Sequence, residues 1–251
     1  MTKLSVVIIT FNEERNIGRC LESVKNIADD IVVVDSFSTD ATEKICREHA
    51  VNFIQRKWDG YSATKNFANT QAKYDWVFSI DADEAFSEKL TATVKEWKEK
   101  EKNQPGKCNR LTNYCGKWVK HGGWYPDTKT RLFNRNTTRW EGEIHEELKM
   151  EKPENILFID GDLLHYSYYT KEEHYRQADN FTTIMAQDLF LKNKKTNIAQ
   201  ILFSPVAKFV RDYFFNAGFM DGKTGFVIAR ISAKATYLKY KKLQQLHRNK
   251  K

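Results

Sequence analysis

Several things are scarce in this chain, and each scarcity excludes something. No stretch reaches about 18 uncharged apolar residues, the length a membrane-spanning helix needs. The first apolar run, MTKLSVVIITF, already breaks at Asn12-Glu13-Glu14. No transmembrane span is therefore expected. The four cysteines, Cys20, Cys46, Cys108 and Cys115, lack the close pairing of a zinc site. With no signal peptide either, they read as reduced thiols of a cytoplasmic protein. No Gly-x-Gly-x-x-Gly follows the first apolar run, which disfavours a dinucleotide-binding Rossmann site, and the absence of Gly-Lys-Ser disfavours a P-loop phosphotransferase. Acidic residues are missing from the tail. Residues 222–251 hold nine Lys or Arg and no acid, while the rest of the chain balances 32 basic against 33 acidic residues, so the tail carries the net +8. Such a tail attracts anionic lipid or nucleic acid, or only aids solubility. With no zinc or helix-turn-helix signature and no aromatics interleaved on a basic sheet, a specific nucleic-acid partner is not expected.

What is present points to a folded α/β protein. Hydrophobic residues make up 41% of the chain and include six Trp, eleven Tyr and sixteen Phe, enough for a sizeable core. Leu4–Thr10, Ile31–Asp35, Val51–Gln55 and Trp76–Asp81 are short Val- and Ile-rich runs that suit parallel strands covered on both faces. Between the first two, Ile17, Leu21 and Val24 share a helical stripe. Residues 36–40 offer caps for a helix through Ile45, and Ser87 caps another that carries Leu90, Val94 and Trp97. Alternating strands and helices predict a doubly wound mixed sheet, with ligands at the carboxyl ends of its strands. After the charged connector 98–107 comes a Gly- and Trp-rich segment, then short strands to Tyr169, then helix. Val206, Phe209, Val210, Tyr213, Phe214 and Ala217 form one apolar stripe; Val227, Ile231, Ala235 and Leu238 form another, opposite Arg230, Lys234 and Lys241. The expected division is a catalytic domain over 1–170 and a basic helical region over 171–251.

Carboxylates gather at the strand ends. Glu13 follows the first strand, Asp35 ends the second, and Asp81-Ala82-Asp83 ends the fourth. Such carboxylates accept hydrogen bonds from ribose hydroxyls and from a base N–H. A diphosphate repels them unless a divalent cation lies between, and Mg²⁺ or Mn²⁺ favours oxygen ligands. Asp-x-Asp alone is a weak signal; its register with Asp35 and Glu13 strengthens it.

The segments SVVIITFNEE, VVVDSFSTDAT, the Lys65-Asn66 pair and SIDADE resemble, in order and spacing, the successive motifs of family 2 glycosyltransferases, which have the GT-A fold. KWVKHGGWYPDTKTRLFNR, WEGEIHEEL and LLHYSYYT resemble the bacterial subgroup that adds glucose to the inner core of lipopolysaccharide. The resemblance implies a metal-dependent enzyme with a UDP-sugar donor. Thr10, Phe11, Glu13 and Asp35 would hold the uridine, with Phe11 where the family usually has Tyr. Lys65 would lie near the diphosphate or base. Asp81 would contact ribose or metal, Asp83 would be the direct metal ligand, and His165 would complete the coordination.

Transfer also needs a base for the acceptor hydroxyl, worth about 10²–10⁴-fold. Glu146 in Ile144-His145-Glu146-Glu147 matches the family's His-Glu pair and is the first choice, with Asp127 and Glu143 competing. Trp124 and Tyr125, near Trp118 and Trp140, offer flat faces to a sugar; Asp127 and Arg131 can bond hydroxyls or a phosphate, and His145 can orient Glu146. Gly122-Gly123 marks a tight loop, and His121 and His174 read as structural or surface residues. The aromatic 209–219 stretch before a basic helix has the composition of an interfacial anchor, implying peripheral contact with the inner face of an anionic membrane. The alternative function is a nucleotide-sugar or membrane-binding module without catalysis, which would have no need of the base.

Overall fold

The computed structural model describes residues 1–142, 147–151 and 155–249. The chain forms two compact units: Met1–Arg110 with Asp127–Tyr166, and Leu111–Pro126 with Ser167–Lys251.

The first unit opens with β1 (Leu4–Thr10), buried at every position. Such a continuous apolar run is what a strand covered on both faces requires, and burying each large aliphatic side chain contributes about 1.5–3 kcal/mol. α1 (Ile17–Val24) presses Ile17, Cys20, Leu21 and Val24 onto the sheet. Then come β2 (Asp30–Asp35), α2 (Thr42–Arg47), β3 (Asn52–Gln55), α3 (Tyr61–Gln71) and β4 (Trp76–Asp81). β1 pairs in parallel with β2 on one side and β4 on the other, so Thr10 aligns with Asp35 and Ile9 with Asp81. The expected gathering of acids at one sheet edge follows from this register. β5 (Glu84–Phe86) and α4 (Glu88–Glu99) come next, and Ser87 caps α4 by accepting from the Leu90 N–H at 3.2 Å. The helix expected through Ile45 forms as α2, and Asp40, just before it, accepts from the Thr42 N–H at 3.0 Å. α3 left no clear stripe in the sequence because its buried positions are Thr64, Lys65, Ala68 and Asn69, two of them strongly polar.

The antiparallel half is built from β6 (Gly106–Tyr114), β7 (Lys117–Val119), β8 (Asp127–Asn134), β9 (Thr138–Glu141), β10 (Glu147–Met150) and β11 (Leu157–Tyr168). The sheet runs β3-β2-β1-β4-β8-β6-β11-β5, with β7 paired to β6 and with β9 and β10 as a separate ribbon. Gly161, at φ +110°, lets β11 pass the start of α4; a Cβ there would collide with the Leu90 backbone. All four cysteines are free thiols, and only Cys115 is exposed.

In the second unit the outer end of β6 pairs with β7. Thr170 opens α5 (Lys171–Leu191) with a reciprocal capping box to Glu173. α6 (Ile198–Val210) is capped by Asn197 and contains Pro205. The single helix expected through Ala217 is not formed. Arg211–Phe215 widens into a π-helical turn, Ala217 turns left-handed at φ 55°, and a 3₁₀ turn covers Gly218–Asp221. The stripe is in part exposed, with Val206 and Phe214 at 59% and 57%. α7 (Gly222–Asn249) buries Gly225, Ile228, Ala229, Ile231 and Leu243. None of the helices among the described residues is long and apolar enough to cross a membrane.

Candidate active site

At the carboxyl ends of β1 and β4 the first unit opens a cleft of about 720 Å³. Thr10, Phe11 and Glu13 line one side, Asp81, Ala82, Asp83 and His165 another, and Trp58 and Tyr61 the mouth. β1 and β4 end side by side, so two chain segments 70 residues apart deliver their acids to one place.

Two acids of the Asp-x-Asp motif have different surroundings. Asp81 Oδ1 lies 3.2 Å from Lys65 Nζ, and its Oδ2 accepts from Arg131 Nη2 at 3.1 Å. Burial opposes charge on Asp81, but Lys65 and Arg131 outweigh it and hold the carboxyl well below the usual carboxylate range. Arg131 also donates to Glu84 Oε1 at 2.7 Å, and Glu84 Oε2 accepts from the Asp81 N–H at 2.9 Å. From Glu84 the chain of charges continues to Arg110 at 3.5 Å and from Arg110 to Asp127 at 2.7 Å. Lys65, Glu84 and Arg131 are all buried, so this is an internal scaffold under the cleft rather than an open acceptor surface. Arg131 was expected to bond acceptor hydroxyls; at 4% exposure, committed to two carboxylates, it cannot reach them.

Asp83 instead faces His165, whose Nε2 is 3.1 Å from Asp83 Oδ2. Burial works against protonation of His165, yet the Asp83 carboxylate raises its pKa on balance. Among the described residues no group of three or more His, Cys, Asp or Glu side chains is gathered as a metal site. An oxygen and an imidazole nitrogen on the same cleft wall nevertheless suit two positions around Mn²⁺, with phosphate and water oxygens for the rest. Asp81, already neutralised by two cations, is the poorer ligand.

Glu13 accepts from Asn16 Nδ2 at 2.7 Å, and burial, reinforced by Asp83 and Asp40, pushes its carboxyl up to about 7. Asp35 is fully buried and closes its own turn, accepting from the Ser38 N–H at 2.9 Å, from the Ser38 hydroxyl and from Gln55 Nε2. Phe11 is 55% exposed, a ring ready to be covered. Lys65 Nζ also sits 4.8 Å over the ring of Trp140, whose backbone is clamped by Asn66 through two hydrogen bonds of 2.8 Å. That clamp fixes the strand leading to 143–146. Glu143, His145 and Glu146 lie outside the described residues.

The remaining candidates divide between the units. Asp127 belongs to the first and is held by Arg110 and Lys129, which overcome the effect of burial and lower its pKa. Trp124 and Tyr125 belong to the second. Trp124 packs with Tyr114, Tyr168 and His174, and burial lowers His174 to about 4, the behaviour of a structural histidine. His121 is likewise structural, bonded to Asp221 at 2.9 Å beside the positive-φ pair Gly122-Gly123.

The profile of the family described as glycosyl transferase family 2 matches residues 5–144. An uncharacterised glycosyltransferase of Rickettsia typhi is 32% identical over 98% of this chain and 88% of its own length. The chain belongs to glycosyl transferase family 2. The lipopolysaccharide core biosynthesis glycosyltransferase LpsC of Rhizobium meliloti is 29% identical over 97% of this chain and 93% of its own. Among solved structures, S. aureus TarS 1–349 in complex with UDP aligns at a TM-score of 0.48 and 16% identity, covering 100% of this chain and 92% of that one. The family resemblance read from the motifs is thus confirmed, and the expected mixed α/β sheet with helices toward the C-terminus is what the chain forms.

For a family 2 enzyme the sequence reading missed four contributors. Glu84 was quoted within SIDADE without a role, although a third acid within four residues on a buried strand is itself a signal. Arg110 carried none. Trp58 and Tyr61, edge to face at 4.7 Å and 44% and 49% exposed, flank Gly60 at φ +104°, and a loop glycine between exposed aromatics could have been noticed.

Glu13 makes one expectation quantitative. Its pKa is raised from 4.5 to about 7, so the folded state keeps a proton that the unfolded chain releases, and this group's contribution to stability is lost as pH rises from 4.5 through 7. Glu13→Gln should therefore be more stable than the parent by about 1–3 kcal/mol near pH 8, after allowance for partial exposure, and equal to it near pH 4. Urea unfolding at both pH values measures this; a difference independent of pH would contradict the burial argument.

Proposed function

We propose that this glycosyltransferase transfers a hexose, glucose in the first instance, from a UDP-sugar to a saccharide acceptor of the lipopolysaccharide core or a related envelope glycan, with inversion at the anomeric carbon. The observation that carries the reading is the cleft at the ends of β1 and β4, which the exposed Phe11 ring, the Glu13 carboxyl and the Asp83–His165 pair line together. Support for the acceptor class comes from the similarity to LpsC.

The parts then have the following roles. Phe11 covers the uracil, while Glu13 accepts from base or ribose. Asp35 acts through Ser38, shaping the turn at the end of β2. Lys65 and Arg131 keep Asp81 ionised and immobile, so that it presents an acceptor to the ribose. Asp83 and His165 are the residues that would hold a divalent cation, which when bound neutralises charge on the leaving diphosphate. Glu146 takes the acceptor's hydroxyl proton as the new oxygen–C1 bond forms. The C1–O bond to the β-phosphate breaks, and its electron pair leaves with UDP. Inversion follows from attack opposite the leaving group. The acceptor is borne on lipid at the cytoplasmic face of an anionic membrane, which the basic second unit contacts peripherally.

Glu146→Gln tests the base. UDP release in the presence of acceptor should fall about 10²–10⁴-fold, with the donor KM nearly unchanged, because the base acts only in the transition state. Unchanged kcat would transfer the role to Asp127 or Glu143.

A further inference from the structure

The second unit turns an apolar helix face to water. On α6, Leu202, Phe203 and Val206 are 57%, 68% and 59% exposed, and only Ile201 is buried. The polar positions Gln200, Ser204 and Lys208 recur every four residues on another stripe, so the exposed apolar residues form a face of their own, which is stable where it too leaves water. The surface continues past the π-helical turn. Phe209 contacts Phe214 and Phe226, and Tyr213 contacts Phe219, with ring centroids 5.8–6.5 Å apart. Phe215 beside them is 82% exposed. Contiguous apolar patches of this kind mark interaction surfaces.

Charge decides among the occupants. No acid occurs between Asp188 and Asp212, whereas Lys192, Lys194, Lys195, Lys208 and Arg211 do. Asp212 is buried and paired with Lys208 at 2.8 Å and Arg211 at 3.1 Å, and Asp221 is engaged by His121. Lys192 is paired with Asp188 at 2.8 Å, so the surplus of positive charge over residues 188–212 rests mostly on Lys194 and Lys195. A second copy of the chain would bring the same positive surplus against itself. An anionic bilayer supplies both things the surface calls for, an apolar interior boundary and negative headgroups.

We infer that α6 and the π and 3₁₀ turns after it form an interfacial anchor, inserting Phe203 and Phe215 at the headgroup boundary of an anionic bilayer while the lysines hold the phosphates. The inference deepens the proposed function by naming the element that meets the membrane, and it rests on that reading only for the purpose of the contact. It assigns the apolar part of membrane affinity to this edge rather than to the basic face of α7.

Cosedimentation of the full chain with vesicles of phosphatidylglycerol and phosphatidylcholine tests it, with phosphatidylcholine alone as the second arm. Strong binding is expected only to the anionic vesicles. Phe203→Ser/Phe215→Ser should lower partitioning about tenfold or more, with an unchanged thermal midpoint since both side chains are solvent-exposed, and Lys194→Ser/Lys195→Ser should weaken the salt-sensitive part. Failure to bind anionic vesicles, full binding by the Phe variant, or a dimer in sedimentation velocity that this variant dissolves would each overturn the anchor. A chain that binds vesicles but releases UDP from no UDP-sugar would overturn the proposed function and leave the anchor standing.

Discussion

Asp83→Ala should remove on the order of 10³-fold or more from the rate of sugar transfer while leaving the fold intact. Asp83 makes its side-chain contact with His165 at the cleft wall, and it is half-buried rather than internal. In the proposed reading its loss would leave His165 alone to face the donor's diphosphate and would remove the carboxylate proposed to hold a divalent cation. Stabilisation by UDP should also lose its dependence on Mn²⁺ in this variant. UDP release with and without EDTA reads the effect directly. If the variant kept the parent rate, or if EDTA left the parent unaffected, Asp83 would not be a cation ligand. The same substitution at Asp81 should behave differently, because Asp81 anchors buried cations and its removal strikes the fold as well as the donor site.

Arg131→Ala should destabilise the protein by about 3–5 kcal/mol, a large share of a domain's usual 5–15 kcal/mol. The guanidinium is buried between Asp81 and Glu84, and its removal leaves the internal Glu84 carboxylate and the half-buried Asp81 with only Arg110 and Lys65 to compensate. Replacing the pair together, as Arg131→Met/Glu84→Gln, should cost less than the sum of the single changes, since neither partner is then stranded. Urea denaturation of the three variants tests this. Additive losses would mean that Arg131 and Glu84 are not coupled, and the scaffold under the cleft would then lose its rationale. Because the scaffold carries Asp81, Arg131→Ala should also weaken UDP binding, even under conditions where the variant is folded.

The parallel half of the sheet was legible in the sequence because its strands are short, continuous apolar runs. Leu4–Thr10 and Trp76–Asp81 form strands of the expected extent, and their parallel register brings Glu13, just after the first, to the cleft that Asp81 and Asp83 line at the end of the second. α3 escaped because its buried face is made of Thr64, Lys65 and Asn69, residues that leave no apolar period to find. The two aspartates of Asp81-Ala82-Asp83 were distinguished in the sequence only through the family resemblance, not by anything in their local surroundings. Their partners come from α3, β8 and β11, and nothing local predicts that Arg131 arrives beside Asp81 and His165 beside Asp83. The helical stripe from Val206 to Ala217 was legible as composition but not as orientation. Periodicity marks an apolar side without saying whether protein or another apolar phase covers it. Glu146 and His145 lie outside the described residues, so the base remains a reading of the His-Glu pair and of the chemistry that transfer demands.

The most direct test of the central claim, a UDP-sugar site at the ends of β1 and β4, is thermal stability against a panel of nucleotides and nucleotide sugars with and without Mn²⁺. A ligand confined to the folded state adds about 2.7 kcal/mol at a hundred times its dissociation constant, an easily seen shift. The account predicts stabilisation by UDP and by one UDP-hexose, stronger with Mn²⁺ and weakened in Asp83→Ala. Stabilisation by a different nucleotide base, or none by any uridine ligand, would contradict it.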